Sequence, residues 1–144
     1  MPAPKIGVSP ADQPMHFSAG ALIKADGKYL IIHRTVPPIC FAGVAGHIDE
    51  GEFPLQAVIR EVHEETGATL VHPILQLEEF VPWNWCNKGI TGHYWHLFTG
   101  QIIGQIFKNT QEASSIGWYT PDQIKQLYLE PVWKYWFEKL KIIY

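Results

Sequence analysis

The sequence predicts an α plus β domain, and three observations support this. Short runs of β-branched and aromatic residues, separated by turn residues, occupy much of the chain. A charged segment near the middle and an aromatic segment at the end have helical periodicity instead. A chain of 144 residues that is 47% hydrophobic is large enough to bury one core without disulfides. We therefore expect helices that flank a single sheet.

The predicted strands can be placed in order along the chain. The first 14 residues are rich in proline and polar side chains, so we expect a flexible N-terminal arm at 1–14 and a single domain at 15–144. Apolar runs at 17–23 and 29–33, joined by a turn at 25–28, predict a hairpin. Pro37 and Pro38 then require a loop. Further strands are expected at 41–48, 74–81, 93–102 and 116–119.

The charged segment predicts a helix at 54–66 with recognisable ends. Pro54 suits the first helical turn, and Gly67 suits the left-handed residue that follows a last turn. At ~100° per residue, the residues expected to pack on the core form one stripe, and the acidic residues lie away from it. The expected stripe consists of Leu55, Ile59, Val62 and Thr66.

A last helix is predicted from Pro131, after a helical turn that begins at Pro121. Its apolar residues recur at i, i+3, i+4 and i+7, which is typical of a helix that packs on a core. Exposed aromatic side chains on this helix, such as Trp133 or Trp136, are also candidates for a homodimer interface. The apolar positions are Trp133, Trp136, Phe137 and Leu140.

Composition argues against several classes of partner. The net charge is −3 and Lys plus Arg total 11, so the chain lacks the basic stripe that polymeric nucleic acid requires. No run approaches the ~20 apolar residues of a membrane span, and we find no signal-peptide pattern. Cys40 and Cys86 are far apart in the chain and are expected to be reduced thiols. We expect a cytoplasmic protein with a small ligand.

The helix at 54–66 carries a cluster of carboxylates. Glu61, Glu64 and Glu65 stand at i, i+3 and i+4, so their side chains share one helix face. Such clusters are usually solvated, and like charges at this spacing cost ~0.2–0.5 kcal/mol per pair. The glycines on both sides favour a metal site instead. Oxygen ligands indicate Mg²⁺, or Mn²⁺, and a bound divalent ion would let an acidic protein hold a phosphorylated substrate.

The surrounding segment resembles the signature of the Nudix hydrolases, G-x5-E-x7-R-E-U-x-E-E-x-G-U, where U is aliphatic. The matching residues are Gly46, Glu52, Arg60, Glu61, Val62, Glu64, Glu65, Gly67 and Ala68, the last being smaller than usual. The resemblance implies an α/β/α sandwich with a mixed sheet. It also implies that the three acids of the cluster and the Gly46 carbonyl hold metal ions, and that water attacks a diphosphate.

The resemblance also assigns roles to residues around the cluster. A carboxylate must accept the proton of the attacking water, and either Glu61 or Glu112 is the candidate. Glu112 would also bind metal, and a solvated loop acid is the alternative. Arg60 lies four residues before Glu64, which suits an ordinary ion pair, whereas the resemblance assigns it to orienting the carboxylates together with Glu52. The two descriptions of Arg60 are compatible.

Four residues are candidates for substrate contacts. Arg34 ends a predicted strand where related sequences often carry a phosphate-binding arginine, and a surface arginine is equally expected there. His47 reaches the phosphates or fills the turn after Gly46, and the turn role is favoured. Trp83 and Trp85 stack on a nucleobase or pack in the core. The other histidines show no pattern.

The residues and the resemblance together predict a Mg²⁺-dependent pyrophosphohydrolase. Its substrate would be a nucleoside diphosphate linked to another group, such as a nucleoside triphosphate or a nucleotide sugar. The alternative is a non-hydrolytic protein of the same fold, either a diphosphate isomerase that uses Cys40 or Cys86, or a nucleotide sensor. Leu129 stands where the branch that hydrolyses oxidised guanine nucleotides carries a base-reading Asn, so that specificity is not implied.

Overall fold

The computed structural model describes residues 3–86 and 88–144. Its strands are β1 (Ile6–Val8), β2 (Pro14–Ala25), β3 (Lys28–Arg34), β4 (Phe41–Ala42), β5 (Val44–His47), β6 (Thr69–Val81), β7 (His93–Ile103) and β8 (Ala113–Tyr119). Its helices are α1 (Pro54–Thr66), α2 (Pro121–Lys125) and α3 (Pro131–Lys139). The strands of the described residues form one mixed sheet in the order β4-β3-β2-β7-β6, with β1 and β5 paired to β2 and β8 paired to β3. The predicted mixed sheet with flanking helices is therefore confirmed.

Strand β2 organises the sheet because it pairs with different neighbours along its length. It runs parallel to β7 and antiparallel to β1, β3 and β5. In this register His16 lies opposite His93, while Ser18 lies opposite both Trp95 and His47. The parallel pairing therefore brings the start of β7 next to the end of β5, two segments that are far apart in the sequence.

Helix α1 has the predicted bounds and the predicted end. Gly67 has a φ of 76° and its backbone N–H donates to the His63 carbonyl at 2.9 Å, as a left-handed C-terminal residue should. The predicted packing stripe is half right, because Val62 and Thr66 are buried as expected, whereas Leu55 and Ile59 are 45% and 38% exposed. The residues that α1 buries are Ala57, Val58, Val62, Glu65 and Thr66.

The rotation of α1 has a simple cause in its sequence. Ala57 and Val58 are small enough for the helix to lie close to the sheet. Glu65 lies eight residues after Ala57 and seven after Val58, so it is on the same face of the helix. The expected separation between a packing face and an acidic face is therefore wrong. One carboxylate of the cluster, that of Glu65, points into the protein.

The core has two parts, one on each face of the sheet. Ala57, Val58 and Val62 of α1 pack in one part, and the aromatic residues of α3 pack in the other. Trp133 and Trp136 are only 1% and 0% exposed, so they are not available for a homodimer interface. Their spacing on α3 serves core packing, which is the role that the helical periodicity indicated.

Several boundaries differ from the prediction. The strand predicted at 41–48 is two short strands, β4 and β5, and β8 begins at Ala113 instead of at 116. Part of the predicted arm at 1–14 forms strand β1, which pairs with Pro14 to His16, and the Lys5 N–H donates to the Ile48 carbonyl at 2.8 Å. The first two residues of that arm lie outside the described residues. Strand β6 begins at Thr69, soon after Gly67, and not at 74. In the described part of the chain, no helix combines the length and the apolar character needed to cross a membrane.

Candidate active site

A continuous cleft runs along β5 and has two halves. The acidic half contains Glu61, Asp49 and Glu112 and has about 1050 Å³ of empty space, including space open to solvent. The aromatic half contains Trp85, Trp95 and Trp133 and has about 720 Å³ on the same measure. The two halves share Arg34, Val36, Ala45, Gly46, His47 and Glu65.

Arg60 connects the residues around the acidic half. Its guanidinium donates to both carboxylate oxygens of Glu52, at 2.7 and 3.0 Å, and to Glu61 at 2.8 Å. It also donates to the His47 carbonyl at 2.9 Å and to Glu64 at 3.2 Å. The hydrogen bond from Arg60 lowers the pKa of Glu52. Both predicted contacts of Arg60, with Glu52 and with Glu64, are therefore present, and the arginine joins α1 to the end of β5.

Glu65 is a buried carboxylate, and the partly buried Glu61 lies close enough for its charge to act on Glu65. Burial raises the pKa of Glu61 to about 7, with further contributions from the charges of Glu64 and Glu112, while Arg60 acts in the opposite direction. Burial likewise raises the pKa of Glu65 well above its ordinary value, and the charges of Glu61 and Glu112 add to this. The Glu65 Oε2 atom is buried and has no hydrogen-bond partner among the described residues. Such an atom requires a proton or a cation.

Gly46 lies directly against Glu61. A Cβ atom added at Gly46 would come within 2.0–2.4 Å of the Glu61 carboxylate, a separation that no side chain tolerates. Only glycine at this position leaves the carboxylate where it is. The backbone of β5 and the carboxylate of α1 therefore line the same small space, in agreement with their expected shared role.

The acidic half fits a hard divalent cation. Glu61, Glu65 and Glu112 all line it, so the available ligands are carboxylate oxygens, which Mg²⁺ and Mn²⁺ prefer. The unpaired Glu65 Oε2 is the atom that a cation would satisfy. Glu64 stands apart from the other two acids of α1, because its side chain is 51% exposed and is held by Arg60. The structure thus brings Glu112 to the cluster and leaves Glu64 at its edge.

Arg34 lies where the two halves of the cleft meet. Its Nε donates to the Pro38 carbonyl at 3.1 Å, and its guanidinium lies 3.9 Å from the Glu130 carboxylate. Burial raises the pKa of Glu130, and the charge of Arg34 lowers it. Glu130 was not predicted from the sequence to line the cleft. An acid placed just before the helix-starting Pro131 was the available signal.

The two tryptophans of the loop between β6 and β7 are separated. Trp85 lines the aromatic half of the cleft, whereas the Trp83 ring packs edge-to-face on Tyr135 with centroids 5.5 Å apart. The expected pair of rings around a base is therefore not formed. The turn that follows Val81 directs Trp83 towards α3, and two residues later the chain has turned back to the cleft.

Histidines at the wall of the aromatic half form a group that the sequence analysis did not detect. The ring of His47 stacks on that of His93 with an interplanar angle of 8°, and their Nε2 atoms are 3.1 Å apart. Burial lowers the pKa of His47 to about 3 and also lowers the pKa of His16 and of His93. The expectation that the histidines other than His47 show no pattern is wrong for His16 and His93. Their proximity arises from the parallel β2–β7 pairing, which no sequence spacing revealed.

Comparison with known proteins identifies the family. A family model described as "NUDIX domain" matches residues 14–140, which is most of the chain. The protein belongs to the Nudix family. The chain is 32% identical over 133 aligned positions to an uncharacterized Nudix hydrolase of Rhodococcus erythropolis, covering 83% of this chain and 71% of that protein. It is also 32% identical over 96 positions to an RNA pyrophosphohydrolase of Mesorhizobium japonicum, covering 60% of this chain and 53% of that one.

Solved structures support the Nudix fold. A NUDIX hydrolase from Nitrosomonas europaea superimposes with a TM-score of 0.74 at 25% identity, over 88% of each chain. A MutT NUDIX hydrolase from Burkholderia pseudomallei has the same TM-score at 24% identity, over 85% of this chain and 95% of that one. Nudix hydrolases cleave pyrophosphate bonds in small nucleotide substrates and generally use divalent metals. The chain is accordingly a hydrolase of phosphoanhydride bonds.

Proposed function

We propose that this Nudix hydrolase is a Mg²⁺-dependent pyrophosphohydrolase, with Mn²⁺ as an alternative ion. Its substrate is a nucleoside diphosphate linked to another group, either a further phosphate, as in a nucleoside triphosphate, or a sugar. The observation that carries the proposal is the continuity of the cleft. A carboxylate-lined half, with the unpaired Glu65 oxygen, adjoins a half lined by Trp85, and Arg34 lies between them.

The proposal assigns each half of the cleft to one part of the substrate. Glu61, Glu65 and Glu112, with the Gly46 carbonyl, would hold the divalent ions, and Glu64 would join them from the rim. When bound, the ions would withdraw charge from the phosphoryl oxygens and stabilise the leaving phosphate. Arg34, which lines both halves, would donate to a phosphate, which guanidinium groups bind well. Trp85 offers its ring to a nucleobase, since aromatic stacking accepts any base.

The chain's own residues also provide the acid–base chemistry. Arg60 fixes Glu61 through a 2.8 Å hydrogen bond and is itself fixed by Glu52, so Arg60 and Glu52 act as positioning residues. Glu112 lies in the turn before β8 and faces the same half of the cleft as Glu61. Either carboxylate can take the proton of the attacking water, and we keep both as candidates for the general base.

The role of His47 follows from its neighbours. Its ring stacks on His93, and its backbone carbonyl accepts a hydrogen bond from Arg60. The contacts of the His47 side chain therefore support a packing role in the wall of the cleft more directly than a contact with phosphate. We therefore keep the turn role of His47 as the proposal.

A panel of substrates tests the proposed function. Purified protein would be assayed with Mg²⁺ on nucleoside triphosphates, nucleotide sugars and a 5′-triphosphorylated RNA oligonucleotide, which is included because one relative is named an RNA pyrophosphohydrolase. The net charge of −3 favours the small substrates. We expect products from at least one small substrate and none in the presence of EDTA. An isomerase or a nucleotide sensor would release no phosphate, pyrophosphate or nucleoside monophosphate from any of them.

The two cysteines support a cytoplasmic location, which we retain as a proposal. Both thiols are free, with Cys40 buried and Cys86 partly buried. Proteins that keep thiols reduced are typical of the cytosol. A homodimer also stays a prediction, and the core position of Trp133 and Trp136 removes the interface suggested for it.

A further inference from the structure

Four side chains with nitrogen or sulfur donors meet beside the aromatic half of the cleft. They are His16 at the start of β2, His47 at the end of β5, Cys86 in the loop between β6 and β7, and His93 at the start of β7. One donor atom from each residue lies within 4.8 Å of the donor atoms of all the others. Within the described ranges, this is the one group of His, Cys, Asp or Glu that converges so closely.

Two of the donor–donor distances within this His/Cys cluster are close to those of a tetrahedral metal site. Zinc binds histidine nitrogen at ~2.0–2.1 Å and cysteine sulfur at ~2.3 Å, so tetrahedral ligands lie ~3.3 Å apart for two nitrogens and ~3.6 Å apart for nitrogen and sulfur. The Nε2 atoms of His47 and His93 are 3.1 Å apart. The Cys86 Sγ lies 3.8 Å from the His16 Nδ1. Both separations are within a few tenths of an ångström of the tetrahedral values.

The surroundings of His93 also favour a metal ligand. Its Nδ1 is 2.6 Å from the Asn84 backbone carbonyl, which can only accept a hydrogen bond, so Nδ1 carries the hydrogen and donates it. The Nε2 atom of the neutral ring then has a free lone pair, and it lies 3.1 Å from the His47 Nε2. Asn84 is held in turn, because its side-chain oxygen accepts a 2.6 Å hydrogen bond from the Trp95 indole. Zinc-binding histidines commonly have this second hydrogen bond to a carbonyl or carboxylate.

A network of hydrogen bonds is the simpler reading of the same contacts. It accounts for one nitrogen pair and for one thiol–imidazole pair, each taken alone. It does not require the two pairs to lie together, yet one donor atom from each of the four residues lies within 4.8 Å of the others. Two of the rings, His16 and His93, are buried at 4% and 3% exposure, so their positions are fixed by packing.

We propose that His16, His47, Cys86 and His93 form a structural Zn²⁺ site, separate from the carboxylate site of the proposed function. Four protein ligands close the coordination shell, which is the arrangement of structural zinc sites. Cys86 would bind as the thiolate, and its proton would pass to solvent when the metal enters. Borderline-soft nitrogen and sulfur donors select zinc over the magnesium preferred by the carboxylates.

Zinc at this position would fix the loop between β6 and β7 to the sheet. The loop supplies Cys86, while the three histidines come from strands. Trp85, which lines the aromatic half of the cleft, is next to Cys86 in the chain. The metal would therefore hold one wall of the substrate cleft in place without taking part in hydrolysis.

Metal analysis and cobalt spectroscopy test this proposal. We expect protein purified without chelators to contain about one zinc per chain, measured by inductively coupled plasma mass spectrometry. After zinc removal, Co²⁺ should produce a thiolate-to-cobalt charge-transfer band and the visible absorption of a tetrahedral site. Cys86→Ser should abolish the charge-transfer band, and His16→Gln should lower the zinc content. Hydrogen exchange of the backbone at 82–92 should become faster in the metal-free protein.

Two control variants separate this site from the others. Cys40→Ala removes the other thiol, which is buried and donates to the Pro38 carbonyl, so the cobalt band should persist. Glu65→Gln alters the carboxylate site and should also leave the cobalt band intact. The proposal is overturned if wild-type protein holds no zinc and gives no charge-transfer band with Co²⁺, or if Cys86→Ser keeps that band. Because the wild-type measurement stands alone, a variant that fails to fold does not prevent the test.

Discussion

Replacing Glu61 by Gln should stabilise the metal-free protein. Glu61 is ionisable and partly buried, and its pKa is raised from the ordinary 4.5 to about 7. Between these two values the unfolded chain loses the proton while the folded chain keeps it, so stability falls as pH rises. Above about pH 7 both states are ionised and the full penalty is present. A pKa change of this size corresponds to ~3 kcal/mol.

The size of the effect follows from that penalty. Gln has nearly the same shape as Glu61, can accept the hydrogen bond from Arg60 and carries no charge. In EDTA at about pH 8, Glu61→Gln should therefore raise Tm by roughly 6–12 °C, at 2–4 °C per kcal/mol for a chain of this size. At about pH 4.5 the difference should largely disappear, because Glu61 is then protonated in the folded protein.

Thermal unfolding followed by circular dichroism, with and without Mg²⁺, provides the assay. Wild-type protein should be stabilised by Mg²⁺ at about pH 8, whereas Glu61→Gln should respond weakly, because it has lost a metal ligand. Glu64→Gln is the matched control, since that side chain also bonds to Arg60 but is half-exposed. It should change the metal-free Tm little. The reasoning is refuted if Glu61→Gln in EDTA is no more stable at pH 8 than wild type.

Two further predictions concern the cleft. Gly46→Ala places a Cβ within 2.4 Å of the Glu61 carboxylate and should lower kcat at least ~10-fold in steady-state assays. Gly117→Ala is the control, because its Cβ would make an ordinary contact at 3.6 Å, and it should leave kcat nearly unchanged. Equal kcat values in the two variants would contradict the close packing at Gly46. Trp85→Ala should raise KM by roughly 5–150-fold, from ~1–3 kcal/mol of lost stacking, and Trp83→Ala should not. A larger KM change in Trp83→Ala would show that the rings have the opposite roles.

Much of the local structure could be predicted because it depends on neighbouring residues. Pro54 and Gly67 mark both ends of α1, and each acts through its own backbone conformation. The turn at 25–28 likewise determines the hairpin of β2 and β3. The acids of α1 were recognised from a spacing that lies within two helical turns.

The features that were missed depend on contacts between distant segments. The direction in which α1 faces is decided by what it packs against, so Glu65 turned inwards while Leu55 and Ile59 stayed exposed. The parallel pairing of β2 with β7 joins His16 to His93, and the sequence contains no local sign of it. The placement of Glu112 next to Glu61 and Glu65 comes from the turn before β8 in the same way.

Binding of Mn²⁺ followed by electron paramagnetic resonance tests the central claim most directly. That claim is that Glu65, with Glu61 and Glu112, holds a divalent ion in the acidic half of the cleft. In a Cys86→Ser background, which removes the thiolate from the His/Cys cluster, adding Glu65→Gln should weaken Mn²⁺ binding by roughly tenfold or more while the protein stays folded. Unchanged Mn²⁺ affinity in the Glu65→Gln protein would contradict the account.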